Sequence, residues 1–434
     1  MKRKLLAKLL EWKETLKPDP ILLTGAKGVG KTYFVCYFAK SYYKEYVYIN
    51  FETEPFLYNQ LFKMNPSMIG NSLKNYFQLS DSTEPVLLIL DEISEKQDVA
   101  LILNGLATSG IHFHIIFISS LLSIKVPKNM SFYHLTLFPL DFEEFLIATG
   151  NEWYIEVIKT HFSSNEKIPD IVHKELLTLF QLYLDIGGMP LAVNEYINTE
   201  ALFNVSEQHR ILLNSFTADA YKRNTEGNFL KICQAFRTID SQLSKENRKF
   251  QYKLIRKGAT QAQYWEAIQY ICDSGYGMCC YKFQEETKNK SAWPICPYDD
   301  IKIEKSHDNN HFSFKLYMWD TGVLSTVLKT NLGQFNETIK KGVLENYVAQ
   351  SLFSNSYPLM FWESASLAKL DFIIWKEDKI LPIEIKINDN TRSRNVSIFK
   401  THYSNITESI KISTRNFGYS NQVKYVPYYA VFCI

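Results

Sequence analysis

An apolar run, Ile21-Leu-Leu-Thr24, passes directly into Gly25-Ala26-Lys27-Gly28-Val29-Gly30-Lys31-Thr32, and that octapeptide opens a helical pattern, Thr32-Tyr-Phe-Val-Cys-Tyr-Phe-Ala. No other feature narrows the fold as far. A strand, then G-x-x-x-x-G-K-[ST], then a helix turns backbone N–H groups and a helix N-terminus toward one point, which suits phosphate oxygens. The glycines let the backbone come close. Lys31 is spaced to reach the β- and γ-phosphates, and the Thr32 hydroxyl to ligate Mg²⁺. Chance supplies this pattern on the order of 0.01 times in a chain of this length. The expectation is a phosphate-binding loop, Gly25 through Thr32, for ATP or a related nucleotide.

A second half of such a site lies at Val86-Leu-Leu-Ile-Leu-Asp91-Glu92, an apolar strand ending in two carboxylates. Ligands of parallel sheets sit at the carboxyl ends of strands, so Asp91 is expected beside the magnesium and Glu92 against the attacking water. The strand His114-Ile-Ile-Phe-Ile ends at Ser119-Ser120, and Ser119 is the candidate polar group near the γ-phosphate. No guanine-reading Asn-Lys-x-Asp follows the third strand, which argues against a GTPase. With Tyr46-Val-Tyr-Ile-Asn-Phe, these runs alternate with helical stretches up to about Phe145. That is the pattern of strands buried on both faces of a parallel, doubly wound sheet.

The chain has 434 residues, too many for one ordinary core, and 46% apolar with 22% charged residues is a globular composition. No stretch approaches the roughly 18 to 20 uninterrupted apolar residues of a membrane span. Lys8, Glu11 and Lys13 interrupt any signal-like segment at the N-terminus, so an amphipathic first helix and a cytoplasmic location are expected, without membrane association. Seven cysteines read as reduced thiols. Cys272, Cys279, Cys280 and Cys296 are the one local group; they lack the C-x2-C spacing of zinc sites and read as small buried hydrophobes. Net charge is +2, but residues 230–258 hold eight Lys/Arg against two acids, and residues 386–434 seven against two.

Residues 150–220 read as helices, broken at Gly187-Gly188-Met189-Pro190. Helical patterns near Leu230–Phe236 and Tyr264–Ser274 flank the basic segment 243–257, with a short strand pair (279–283 and 312–318) after them. This is either a winged-helix-like or a plain helical module. Residues 293–310 read as a linker. Beyond Gly333 come a helix (339–353) and strands at 360–362, 370–375 and 380–387. The expected division is 1–205, a P-loop NTPase domain with a helical extension; 206–330, a helical or winged-helix-like middle with linker; and 331–434, a second α/β domain.

Several of these motifs carry a resemblance that covers most of the chain. Gly25–Thr32, Leu90-Asp91-Glu92, Ser119-Ser120, Pro139-Leu140-Asp-Phe142-Glu143-Glu144-Phe145, Gly187-Gly188-Met189-Pro190 and Trp319-Asp320-Thr-Gly322 resemble AAA-type prokaryotic ATPases whose C-terminal half is an uncharacterised domain. The resemblance implies a magnesium-dependent ATPase. Where that family often has Gly-Arg after the sensor strand, this chain has Val126-Pro-Lys128-Asn129. That departure implies slow hydrolysis or charge supplied by a partner, with Lys128 a weak substitute.

In the C-terminal part, Leu370-Asp371 and Ile383-Glu384-Ile-Lys386 form D-x12-E-x-K on adjacent strands. Alternation puts Glu384 and Lys386 on one face. Asp371 can face the same spot and Glu345, on the preceding helix, adds an acid, so Glu345, Asp371 and Glu384 are candidate Mg²⁺ ligands and Lys386 a candidate water activator. The set resembles the PD-(D/E)xK nuclease fold, which also exists as an inactive binding module. Two functions follow: an ATP-driven protein acting on DNA through basic surfaces, or a nucleotide-dependent switch whose C-terminal part binds a partner and cuts nothing, with an oligomer or a protein partner expected.

Overall fold

The computed structural model describes the whole chain except residues 55, 58–62, 81–83, 94–101, 105, 107–111, 125–129, 284–312, 365–367, 377–378, 390–391 and 404–405. Lys128, the linker expected at 293–310 and Cys296 lie outside the described residues. The chain divides into two compact units, 2–138 and 139–434, the latter joined by Met1.

In the first unit the apolar runs become β1 (Ile21–Thr24), β2 (Tyr46–Asn50), β3 (Val86–Asp91), β4 (Phe113–Ser119) and β5 (Tyr133–Thr136). They form one sheet, in the order β2-β3-β4-β1-β5, with every pair parallel. β1 and β3 are buried at every position, which explains their unbroken apolar runs. β2 alternates: Val47 and Ile49 enter the core, leaving Tyr48 and Asn50 on the other face. The expected first helix spans Leu5–Lys13 and buries Leu9 and Trp12.

In the second unit, eight α-helices between Phe142 and Asp273 precede a second sheet. Its strands are β6 (Gly277–Lys282), β7 (Phe314–Met318), β8 (Met360–Glu363), β9 (Lys369–Lys376), β10 (Lys379–Ile385), β11 (Ser409–Ser413), β12 (Gly418–Ser420) and β13 (Val423–Pro427), ordered β12-β13-β11-β10-β9-β8-β6-β7. The strand pair assigned by sequence to a separate middle module therefore continues the C-terminal sheet, with β6 parallel to β8. The helices after residue 139 also cluster with that sheet, so the boundary falls at 138/139 and not near 205. The Glu337–Ser354 helix is buried on nearly all sides from Gly342 to Leu352 and packs on β6, β7 and β10.

The glycine motifs mark a junction too tight for any Cβ. At Gly188 a Cβ would stand 2.0 Å from the Leu140 carbonyl oxygen; at Gly322, 2.4 Å from the Gly187 nitrogen. Asp320 is fully buried there. It caps the Thr321–Leu332 helix by accepting from Val323 N (3.0 Å) and also accepts from Gly188 N (2.7 Å). Burial pushes its carboxyl up to about 6 against the pull of these amides. Among the described residues no single helix is long and apolar enough to cross a membrane.

Candidate functional site

The first site forms because β4 lies between β1 and β3, so the ends of all three strands converge. The loop after β1 turns at Gly25, Gly28 and Gly30, all with positive φ (152°, 89° and 91°), and a Cβ on Gly25 would stand 2.3 Å from the Leu137 oxygen. Gly30 precedes the Lys31–Tyr42 helix, whose N-terminus faces the loop. Lys31 is 6% exposed, and its ammonium donates to the carbonyls of Gly25 (2.8 Å) and Ala26 (3.1 Å). Arg3 donates to the Val29 carbonyl at 3.3 Å, tying the N-terminal helix to the loop.

Thr32 Oγ1 donates to Asp91 Oδ2 at 2.6 Å. The hydroxyl and carboxylate that sequence spacing assigned to Mg²⁺ are thus already adjacent, and this hard-oxygen pair suits Mg²⁺. Asp91 is wholly buried and its other oxygen accepts from Glu92 N at 2.8 Å. Glu92 has φ of +54°, a strained conformation for a non-glycine residue and one that recurs at functional sites. Its carboxylate accepts from Ser120 Oγ at 2.9 Å. Ser119, the serine singled out by sequence, instead turns its hydroxyl back to accept from Leu121 N at 3.1 Å.

Tyr48 was not foreseen. Its hydroxyl donates to Asp91 Oδ2 at 2.9 Å and accepts from Asn50 Nδ2 at 3.2 Å. Burial pushes this phenol up to about 12, so it remains a donor at neutral pH. The available signal was the alternation of β2, which puts Tyr48 and Asn50 on one face beside Asp91.

The second candidate set divides differently from expectation. Glu384 and Lys386 do share a face, 2.9 Å apart. Glu384 also accepts from Ser393 (2.6 Å) and Asn395 (2.8 Å), and lies 3.7 Å from Lys411, its partner in the β10–β11 register. Asp371 accepts from Ile385 N at 2.7 Å and pairs with Lys341 at 3.2 Å. Glu345, 1% exposed, faces Arg248 (3.1 Å), Lys315 (3.3 Å) and Lys341 (3.8 Å), and accepts from Tyr317. Burial works to raise the Glu345 carboxyl, but Lys315, Arg248 and Lys341 together outweigh it and hold it below the usual range. Burial raises Asp371.

Five cations therefore face three carboxylates. A divalent ion needs carboxylate oxygens not already matched by ammonium and guanidinium groups. Among the described residues no group of three or more His, Cys, Asp or Glu could hold a metal ion. The expected convergence of Glu345, Asp371 and Glu384 on Mg²⁺ is not met: Glu345 and Asp371 share Lys341, while Glu384 pairs with Lys386 and Lys411. The basic segment 230–258 is likewise partly structural. Arg248 is 6% exposed and bonds the carbonyls of Leu243 and Thr338, while Lys249 pairs with Glu363 at 2.8 Å. Lys231, Arg237, Lys245, Lys253, Arg256 and Lys257 are exposed.

Comparison with known proteins agrees with this geometry at the level of domains. Residues 17–146 match the AAA domain family, and residues 340–431 match a domain of unknown function, DUF4143. The chain thus carries an AAA domain of the P-loop ATPase type followed by a DUF4143 domain, and its parallel five-stranded sheet fits a P-loop NTPase. Among solved structures it is similar to a chain from Drosophila ORC bound to DNA (12% identity, TM-score 0.28, 76% of this chain and 95% of that one). It is also similar to a signal transduction ATPase with numerous domains from Pyrococcus horikoshii, which has a tetratricopeptide repeat sensor (14% identity, TM-score 0.26, 82% of this chain). This chain covers 45% of that protein's length. No curated protein matches the chain.

Proposed function

We propose that this chain is a magnesium-dependent ATPase whose nucleotide state governs a C-terminal unit that binds a partner and does not cut nucleic acid. The observation that carries the first part is the 2.6 Å contact between Thr32 and Asp91, at the mouth of a glycine loop whose lysine is held over it. Thr32 and Asp91 would hold Mg²⁺, which when bound neutralises charge on the β- and γ-phosphate oxygens. Lys31 exchanges the Gly25 and Ala26 carbonyls for those phosphates. Glu92, steadied by Ser120, orients the attacking water and takes its proton as ATP and water become ADP and phosphate. Tyr48 keeps the Asp91 carboxylate in place.

The second part rests on the cation-matched carboxylates of the C-terminal unit. A DNA-directed reading keeps one supporting observation, the six exposed cations from Lys231 to Lys257. One experiment separates these readings: magnesium-dependent ATP hydrolysis and DNA cleavage by the full chain, compared with Lys31→Ala, Glu92→Gln and Glu384→Ala. The expected result is lost nucleotide binding in Lys31→Ala, retained binding with hydrolysis about 10² to 10⁴ slower in Glu92→Gln, and no cleavage by any form. Hydrolysis at the wild-type rate in Glu92→Gln would remove the mechanism. Cleavage that Glu384→Ala abolishes would restore the nuclease.

A further inference from the structure

Two thiols far from the nucleotide loop in sequence stand within reach of one another. Cys272, in the last turn of the Gln261–Asp273 helix, and Cys279, in β6, bring their sulfurs to 3.6 Å. The chain arrives there by a tight turn. Gly275 has a φ of +74°, and Tyr276 N donates to the Ile271 carbonyl at 3.0 Å, so helix and strand lie side by side. Both cysteines are thiols, Cys272 buried and Cys279 half-buried.

Alternation along β6 separates Cys279 from its neighbour Cys280. Cys280 is completely buried and senses Lys315 and Glu345, so it belongs to the face carrying the Glu345 cluster. Burial raises its thiol against the opposing pull of Lys315 and leaves it unreactive. Cys279 projects the other way, toward the helix that holds Cys272. Tyr252 is close by. Burial and then the charge of Cys279 raise its phenol, and among the described residues its buried hydroxyl makes no hydrogen bond. A protonated, otherwise unused donor beside Cys279 can stabilise an anionic sulfur there.

We propose that Cys272 and Cys279 are a redox modification site, a dithiol that closes to a disulfide under two-electron oxidation by a hydroperoxide. Closure needs the sulfurs to approach from 3.6 Å to about 2.0 Å, a movement within the reach of χ1 adjustments at two Cβ atoms. The half-buried Cys279 thiolate attacks the peroxide O–O bond, giving a sulfenic acid and hydroxide, which takes up the thiol proton as water. The Cys272 thiolate then displaces hydroxide from the sulfenic sulfur, forming S–S and a second water. In sum, two thiols and one hydrogen peroxide give one disulfide and two waters. The bond would pin the first residues of β6 to the helix on one face, while the opposite face of the same strand lines the Glu345 cluster. Oxidation thereby adds a covalent tie to a strand already held by its ladder with β7 and β8 and by the helices packed on it.

The test uses the reduced full chain, treated with a small excess of hydrogen peroxide, alkylated under denaturing conditions and digested. No Lys or Arg occurs between Gly258 and Tyr281, so both cysteines and Cys280 fall in the tryptic peptide ending at Lys282. Further cleavage before Asp273 leaves Cys272 in one fragment and the other two in the next. The expected result is a loss of two hydrogens from the tryptic peptide, two fragments that stay joined until dithiothreitol is added, and persistence of the bond in Cys280→Ser. Cys272→Ser should leave Cys279 to accumulate as sulfenic or sulfinic acid, and Tyr252→Phe should slow closure several-fold. The wild-type mass depends on no variant folding. Unchanged alkylation of the peptide, sulfinic acid at Cys279 in the wild-type chain, or a bond that vanishes in Cys280→Ser would each overturn the proposal.

Discussion

Glu345→Gln keeps the shape of a buried side chain and removes its charge while Arg248, Lys315 and Lys341 remain around it. Breaking a buried ion pair from one side costs about 3–5 kcal/mol, since the surviving charges lose their counter-charge away from water. For a unit of about 300 residues, an unfolding entropy near 2.1 cal/mol/K per residue turns that loss into a Tm decrease of roughly 5–8 °C. Near-ultraviolet circular dichroism of the nucleotide-free chain, followed on heating at pH 7.5, measures it. The pH dependence has a definite sign. The folded carboxyl is held below its usual range, so the stability it contributes is present above about pH 4.3 and is lost as pH falls through the folded value. The gap between wild type and Glu345→Gln should stay constant from pH 8 to about 5 and close in stronger acid. Magnesium should leave it unchanged, whereas a metal bound at 100 times its Kd would stabilise wild type by about 2.7 kcal/mol. A loss below about 1 kcal/mol, a gap that persists in acid, or a magnesium stabilisation of wild type that Glu345→Gln abolishes would refute the assignment of these carboxylates to the cations.

Tyr48→Phe removes one of two side-chain hydrogen bonds to Asp91 Oδ2. A bond worth about 0.5–1.5 kcal/mol predicts a 2- to 10-fold loss of magnesium-dependent nucleotide affinity with affinity in EDTA unchanged, read by fluorescent-nucleotide titration. Equal losses with and without magnesium would remove Tyr48 as a positioning residue. Gly322→Ala places a Cβ 2.4 Å from backbone atoms of Ile186 and Gly187 and should cost about 3 kcal/mol or more in chemical denaturation. Gly227→Ala, in a helix with nothing within 4 Å, should instead stabilise by about 0.5–1 kcal/mol.

Features encoded locally could be read from the sequence. The unbroken apolar runs of β1 and β3 are a direct consequence of burial on both faces, and the glycine loop carries its geometry in its own residues. Asp91 and Glu92 at a strand end follow from the same rule. The face shared by Glu384 and Lys386 follows from two-residue alternation. What could not be read depends on pairing between distant segments. Nothing near Cys279 or Lys315 in sequence says that β6 lies beside β8, so a winged-helix-like module was an equally good reading of the same helices and strands. Arg248 looks like one more cation of a basic run, because its use by Leu243, Thr338 and Glu345 is set by tertiary packing. Which serine of the pair turns its hydroxyl to Glu92 depends on how the strand end bends, which a serine pair does not encode.

The parallel pairing of β6 with β8 has a consequence for how the protein is made. Tyr281 registers with Met360, about 80 residues later in the chain, and β11 and β13 come later still. A ribosome adds about 5–20 residues per second, so residues 2–138 are complete some 15–60 seconds before the last strand of the second unit exists. The first unit can acquire its parallel sheet during that interval. The second holds β6 with an unfilled edge until β8 emerges, and an open strand edge is a template for other chains. Nascent-chain chaperones should therefore engage this protein while residues 282–360 are being synthesised, well after the nucleotide loop has folded.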